Sequence, residues 1–177
     1  NKVVVADTSS QANNSKCFQI GGGIIFSSLN YLKNAQEHTF HQGLSIRASY
    51  QVNNFLRFLV DYSKVDRVNI KPTWLNVKNT FFDIDAHFLL NPPVERTFFY
   101  FILGASLQKW QGFYTGIEDH SYAFRNVKHN SDYKTIYYGG TFGFGFEYEF
   151  IKRIFAYGEV RCRMTKTDVG FGLTDVC

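Results

Sequence analysis

Asp83-x-Asp85-x-His87 is the densest set of metal-ligand side chains in the sequence. Carboxylates suit hard cations, and a carboxylate–imidazole mixture suits zinc. These donors run along one segment instead of converging from several, so hydrogen bonding to arginine is the expected use, and no metal or cofactor is expected. No C-x-x-C pair points to zinc, and three cysteines do not make a disulfide framework. Gly139-Gly140 and Gly143-x-Gly145 sit in strand-like sequence, where glycine marks close packing or bending and not a nucleotide cradle. His129-Asn130-Ser131 and His120-Ser121 put a histidine near a serine, but in polar loop sequence, so solvated loop residues are the expectation. The remaining concentration of charge sets Arg47, Arg57, Arg161 and Arg163 against Asp61, Asp83, Asp85, Glu147, Glu149 and Glu159. What such a set does depends on the face of the fold that carries it.

The chain has 177 residues, a formal charge of +4, 45% apolar and 19% charged residues. That suits one folded domain. The charge is too slight to argue for nucleic acid. Aromatic residues reach 18%, with 19 Phe and 11 Tyr, and Pro is only 3, a mix that favours strands. The uncharged run Thr97 to Gln108 is too short for a membrane helix, which needs about 20 apolar residues. A membrane strand needs only about 9–11. The sequence starts at Asn1 without Met and reads as a processed, mature form.

After a polar tail over residues 1–16, about eight segments alternate with a period of two. Leu44, Ile46, Ala48 and Tyr50 oppose Ser45, Arg47 and Ser49. Leu56, Phe58, Val60 and Tyr62 oppose Arg57 and Asp61, with Leu59 an exception. Phe82, Ile84, Ala86 and Phe88 oppose Asp83, Asp85 and His87. Phe99, Phe101, Leu103, Ala105 and Leu107 oppose Tyr100, Gly104, Ser106 and Gln108. Phe142, Phe144, Phe146 and Tyr148 oppose Thr141, Gly143, Gly145, Glu147 and Glu149. Ile154, Ala156, Val160 and Met164 oppose Glu159, Arg161 and Arg163. The first and last segments are weaker. Short turns at 53–55, 91–96 and 151–153 lie at one end, with Asn or Pro in the first two. Longer polar pieces at 28–39, 64–79 and 110–133 lie at the other.

A soluble barrel puts the apolar face inside, and a membrane barrel puts it outside. Three features favour the second. Pairing Phe150 with Ile154 sets Gly145 opposite Glu159, Gly143 opposite Arg161 and Thr141 opposite Arg163, the small-beside-long pattern of a narrow lumen. Pairing Arg163 with Gly170 extends it to the last strand. The turn at 53–55 sets Arg47 opposite Asp61, a complementary pair. Finally, the many Phe side chains would overfill a small interior, whereas Tyr50, Tyr62, Trp110 and Tyr148 suit a membrane interface. The expected fold is all-β, an eight-stranded antiparallel up-and-down transmembrane β-barrel. Its expected luminal polar network is Arg47, Arg57, Asp61, Asp83, Asp85, His87, Glu147, Glu149, Glu159, Arg161 and Arg163.

Alternating strands, short turns at one end, long loops at the other and a charged lumen resemble the small OmpA/OmpX-like outer-membrane β-barrels over residues 17–177. The resemblance implies a Gram-negative outer membrane, with N-terminus and short turns periplasmic and long loops extracellular. It implies contact with outer-membrane lipids and lipopolysaccharide, and with other outer-membrane proteins if the chain is an accessory subunit of a larger complex. The loops carry a candidate binding surface of Lys64, Arg67, Lys71, Lys78, Trp110, Tyr114, Tyr122, Phe124, Arg125 and Lys128, mildly basic and aromatic. No catalysis is expected. The alternatives are a lipid A-modifying outer-membrane enzyme, which needs a His and a Ser meeting on the outer wall, and a soluble lipocalin-like ligand-binding barrel. Cys17 and Cys177 flank the first and last segments, neighbours in a closed barrel, but opposite parities allow a bond only if one lies beyond its strand.

Overall fold

A computed structural model describes residues 18–28, 40–66, 69–71, 74–90, 96–115, 128, 130–151, 154–167 and 170–176. The strands are β1 (Phe18–Ser28), β2 (Phe40–Gln51), β3 (Leu56–Asp66), β4 (Asn69–Lys71), β5 (Trp74–Leu89), β6 (Thr97–Tyr114), β7 (Ser131–Ile151), β8 (Ile154–Thr167) and β9 (Gly170–Val176). They form one antiparallel meander, each pairing with the next along the chain, except that the short β4 pairs only with β5. Cα atoms of β1 and β9 approach within 8 Å. Among the described residues no hydrogen-bonded register joins these two strands.

Local chemistry explains the tight end. Asn53 Oδ1 accepts hydrogen bonds from the backbone N–H of Phe55 (2.8 Å) and Leu56 (2.9 Å), an Asx-type turn between β2 and β3. That turn sets Arg47 opposite Asp61 and Gln51 opposite Arg57. Gly145 lies opposite Glu159, Gly143 opposite Arg161 and Thr141 opposite Arg163 as expected, but Ile154 pairs with Ile151 and not with Phe150; an irregularity between Glu149 and Ile151 restores the expected register.

One face of the sheet is apolar and uncovered. Ile46, Val60, Ile84, Phe99, Phe101, Leu103, Phe142, Phe144 and Val160 are all exposed, and Leu103 keeps 60% of its surface. The other face holds buried Arg57, Asp61, Asp83, Asp85, Glu147, Arg161 and Arg163. A lipocalin-like barrel requires the reverse arrangement.

Four sequence expectations need correction. First, segment 64–79 is mostly strand, because β3 runs to Asp66 and β5 begins at Trp74 with β4 between. Second, β6 continues to Tyr114 and β7 begins at Ser131, so 110–114 and 131–133 of the expected loop are strand. Trp110 and Tyr114 thus belong to a strand and are buried, not part of an interface belt or a loop surface. Alternation carries past Gln108: Lys109 faces out, and Trp110, one residue on, faces in. Third, the β8–β9 turn is tight, with Thr167 opposite Gly170. Gly172 therefore meets Thr165, and Asp175, not Gly170, meets Arg163. Fourth, the inner face is not polar throughout. Leu59, Leu89, Phe98 and Ile102 lie on it near the turn end, and Val65, Val77 and Phe81 near the loop end.

Candidate functional site

The charged middle of the inner face is built by strand alternation, which sends every second side chain of β2, β3, β5, β7 and β8 inward. Arg47 Nη1 and Nη2 donate to Glu159 Oε1 (2.7 Å) and Oε2 (2.9 Å), and Nη2 also donates to Asp61 (3.1 Å). Arg57 Nη1 donates to Glu147 (2.6 Å). Arg161 Nη1 donates to Asp85 (2.7 Å) and its Nε to Glu159 (2.8 Å). Arg163 Nη2 and Nε donate to Asp83 (2.6 and 3.1 Å), which also accepts from Ser106 Oγ.

These contacts say something about shape. Arg47 on β2 meets Glu159 on β8, and Arg57 on β3 meets Glu147 on β7. In a flat sheet, strands about 4.8 Å apart would hold β2 and β8 roughly 24 Å from each other. The sheet therefore curls until distant strands face one another. Asp61 and Asp83 lie directly opposite on neighbouring strands, a repulsive pair if left alone. Arg47 engages the first, and Arg163 engages the second, with Arg161 at 3.5 Å.

Aromatic rings flank the ions. The Arg47 guanidinium lies 3.8 Å from the Tyr157 ring centroid, and that of Arg163 lies 4.4 Å from Phe81. Tyr100 donates its hydroxyl to Glu159 (2.7 Å) and stacks on His87 with centroids 4.5 Å apart. Below lies the packed cluster Leu89, Phe98, Tyr100 and Ile102, with Phe155 against it. Above lie the bonded amides of Gln108 and Asn79 (3.0 Å) and Trp110, edge-on to Tyr133 at 5.6 Å. Glycine makes room among these long side chains. A Cβ on Gly145 would sit 2.7 Å from Glu159 Cγ and 2.7 Å from the Tyr100 ring. A cavity of about 230 Å³ remains beside Ser45, Arg47, Asp61, Tyr157 and Glu159.

Of the residues singled out from the sequence, Arg47, Arg57, Asp61, Asp83, Asp85, Glu147, Glu159, Arg161 and Arg163 meet in ion pairs. His87 is buried against Tyr100 instead of joining Asp83 and Asp85 around a shared centre. Among the described residues no group of three acidic, His or Cys side chains is placed to hold a metal. Glu149 is half-buried near the turn end. Lys64, Lys78 and Lys128 are exposed. Lys71 pairs through its backbone with Trp74 in the β4–β5 ladder. Arg67, Tyr122, Phe124, Arg125, His120, His129, Cys17 and Cys177 lie outside the described residues. Sequence reasoning missed Tyr157 and Phe81 as ring partners of arginine; both share the inward parity of a neighbouring ion, which was the available signal.

With Asp61 as Arg47's sole partner, removing the acid would cost several kcal/mol. Glu159 holds both terminal nitrogens as well. Asp61→Leu is therefore expected to lower the unfolding free energy by only about 1–2 kcal/mol, read from denaturant titration in detergent micelles.

No family model and no curated protein sequence matches the chain. Among solved structures, the crystal structure of Ail, the attachment invasion locus protein of Yersinia pestis, superposes with a TM-score of 0.54. The match covers 90% of this chain and 93% of that one at 15% identity. Ail in complex with the heparin analogue sucrose octasulfate gives a TM-score of 0.49, with the same identity and coverage. Likeness at that identity is a likeness of fold: the chain has the up-and-down antiparallel fold of Ail, one of the small OmpA/OmpX-like outer-membrane β-barrels.

Proposed function

We propose that residues 17–177 close into an eight-stranded transmembrane barrel of the bacterial outer membrane, with residues 1–16 a periplasmic tail. The barrel performs no catalysis and displays its long loops outside the cell for binding, alone or as an accessory subunit of a larger outer-membrane assembly. The observation that carries this reading is the inverted partition of side chains. Arginines and carboxylates are buried in ion pairs spanning the inside, while large apolar side chains are bare outside. Water would not leave the second unburied over so wide a belt, but hydrocarbon would. The apolar outer run of β6, Phe99 to Leu107, has the length that a tilted strand needs to cross the bilayer core, about 9–11 residues. The inner face is filled by its own side chains, which supports a plugged lumen instead of an open pore.

A lipid-modifying enzyme needs a histidine on the outer wall. His87, the histidine whose side chain the structure describes, is fully buried on the inner face. The test is folding into phosphatidylcholine vesicles. The folded barrel is expected to migrate faster on an unheated than on a heated gel and to keep its strands from added protease. A protein that stays soluble and digestible without detergent would contradict the reading.

A further inference from the structure

The charges of the inner face do not balance. Arg47, Arg57, Arg161 and Arg163 stand against Asp61, Asp83, Asp85, Glu147 and Glu159, a net of 4 − 5 = −1. Glu149, half-buried near the turn end, only adds to the deficit. His87 offers no matching imidazolium, since neither ring nitrogen reaches an acceptor among the described residues. A surplus carboxylate taken out of water is costly unless a cation or a hydrogen-bond donor meets it. Asp85 and Glu147 each keep one oxygen without a donor, but neither borders the cavity beside Arg47. Asp61 does. It is 2% exposed, and among the described residues Arg47 Nη2 is the one donor that reaches it, 3.1 Å from Oδ2.

The cavity measures about 230 Å³. At roughly 30 Å³ for each water, that is room for about seven or eight of them. Its walls are of two kinds. On the side of Asp61 stand Ser45 and three arginines, each already bonded to a carboxylate. On the other side lie Ile24, Ile25 and Phe26 of β1. Ile25 points inward, whereas Ile24 and Phe26 point outward and are exposed. A hollow that touches both faces of one strand must pass round the strand's edge. β2 pairs with β1 along its whole length, Phe18 to Ser28, so the hollow opens at the other edge, toward β8, whose Gly158 also borders it.

We propose that this cavity binds a small aliphatic ammonium ion of about four or five carbons, admitted between β1 and β8. The ammonium donates to Asp61 Oδ1 and to Ser45 Oγ and cancels the surplus charge. The alkyl body lies against Ile24, Ile25 and Phe26. One carboxylate and one hydroxyl are too few oxygens to hold a bare metal cation. An anion would meet a surplus of its own sign. The inference concerns the inner face and holds whatever surrounds the outer wall.

The test titrates the folded protein in a non-ionic detergent with butylammonium chloride and follows the Ile24 and Ile25 methyl resonances by NMR. Both are expected to shift and to saturate. 1-Butanol and sodium butyrate are expected to bind roughly tenfold more weakly or less, the loss of a hydrogen bond to a charged group, and sodium chloride should leave the methyls in place. Asp61→Asn, which keeps the shape and removes the charge, is expected to lose affinity for butylammonium by a similar factor. If that variant does not fold, the control ligands on the parent protein decide alone. Unmoved methyls in butylammonium, equal affinity for 1-butanol, or equal binding by Asp61→Asn would overturn the proposal. The same shifts from sodium chloride would assign the cavity to a metal ion and overturn it as well.

Discussion

Glu147→Leu is expected to lower the free energy of unfolding by about 3–5 kcal/mol, the range for removing one partner of a buried ion pair. Arg57 is only 2% exposed, and among the described residues Glu147 is the carboxylate it meets, at 2.6 Å. Taking the acid away strands a guanidinium that cannot lose its charge and cannot reach water. The pair itself is a weak source of net stability, because both ions were stripped of solvent to form it. The double variant Arg57→Met, Glu147→Leu is therefore expected to recover most of the loss. Denaturant titration of the four proteins of the cycle in one detergent measures the coupling directly. If Glu147→Leu is as stable as the parent, the pair does not sit in the dry interior described here.

Leu103→Arg is expected to cost about 2–4 kcal/mol in a lipid bilayer, the penalty for a cation near the midplane on the lipid face of a barrel. Leu103 lies midway along the exposed apolar run of β6, opposite Phe142 on β7 and Ala86 on β5. On a protein surrounded by water, the same substitution at so exposed a site would change stability by about 0.5 kcal/mol or less. Lys109→Arg, at the rim of the same strand, serves as the neutral control. Folding equilibria measured in vesicles distinguish the outcomes, and near-equal stability of Leu103→Arg and parent would argue that water covers this wall.

Much of the fold was legible because a strand's period is two and a misplaced register turns every side chain around. Arg47 opposite Asp61 follows from the length of the turn at 53–55 alone. Gly143 opposite Arg161 needs more than turn length, because Ile154 pairs with Ile151 and an irregularity between Glu149 and Ile151 restores the register. The β8–β9 register was not legible, since Thr167 and Gly170 bracket a turn too short to carry a composition signal. The ends of β6 and β7 were hidden for a different reason. Lys, Gln, Trp and Tyr around Trp110 and Tyr133 read as loop chemistry, although the alternation continues through them. At the site, parity showed which charges share a face but not which partners they choose. Arg47 binds Glu159, 112 residues away, through the curl of the sheet, a contact no hairpin register contains. Charge counting likewise missed Phe98 and Ile102, inward side chains that join the exception Leu59 in breaking the polar pattern near the turn end.

The central claim is that the apolar face meets hydrocarbon. A nitroxide attached at Leu103→Cys, in a protein whose native cysteines are replaced by serine and which is folded into phosphatidylcholine vesicles, tests it through collisions. Molecular oxygen concentrates in the bilayer, and a nickel chelate stays in water. Frequent collision with oxygen and almost none with nickel is the predicted result; ready access for the nickel chelate with little for oxygen would contradict it.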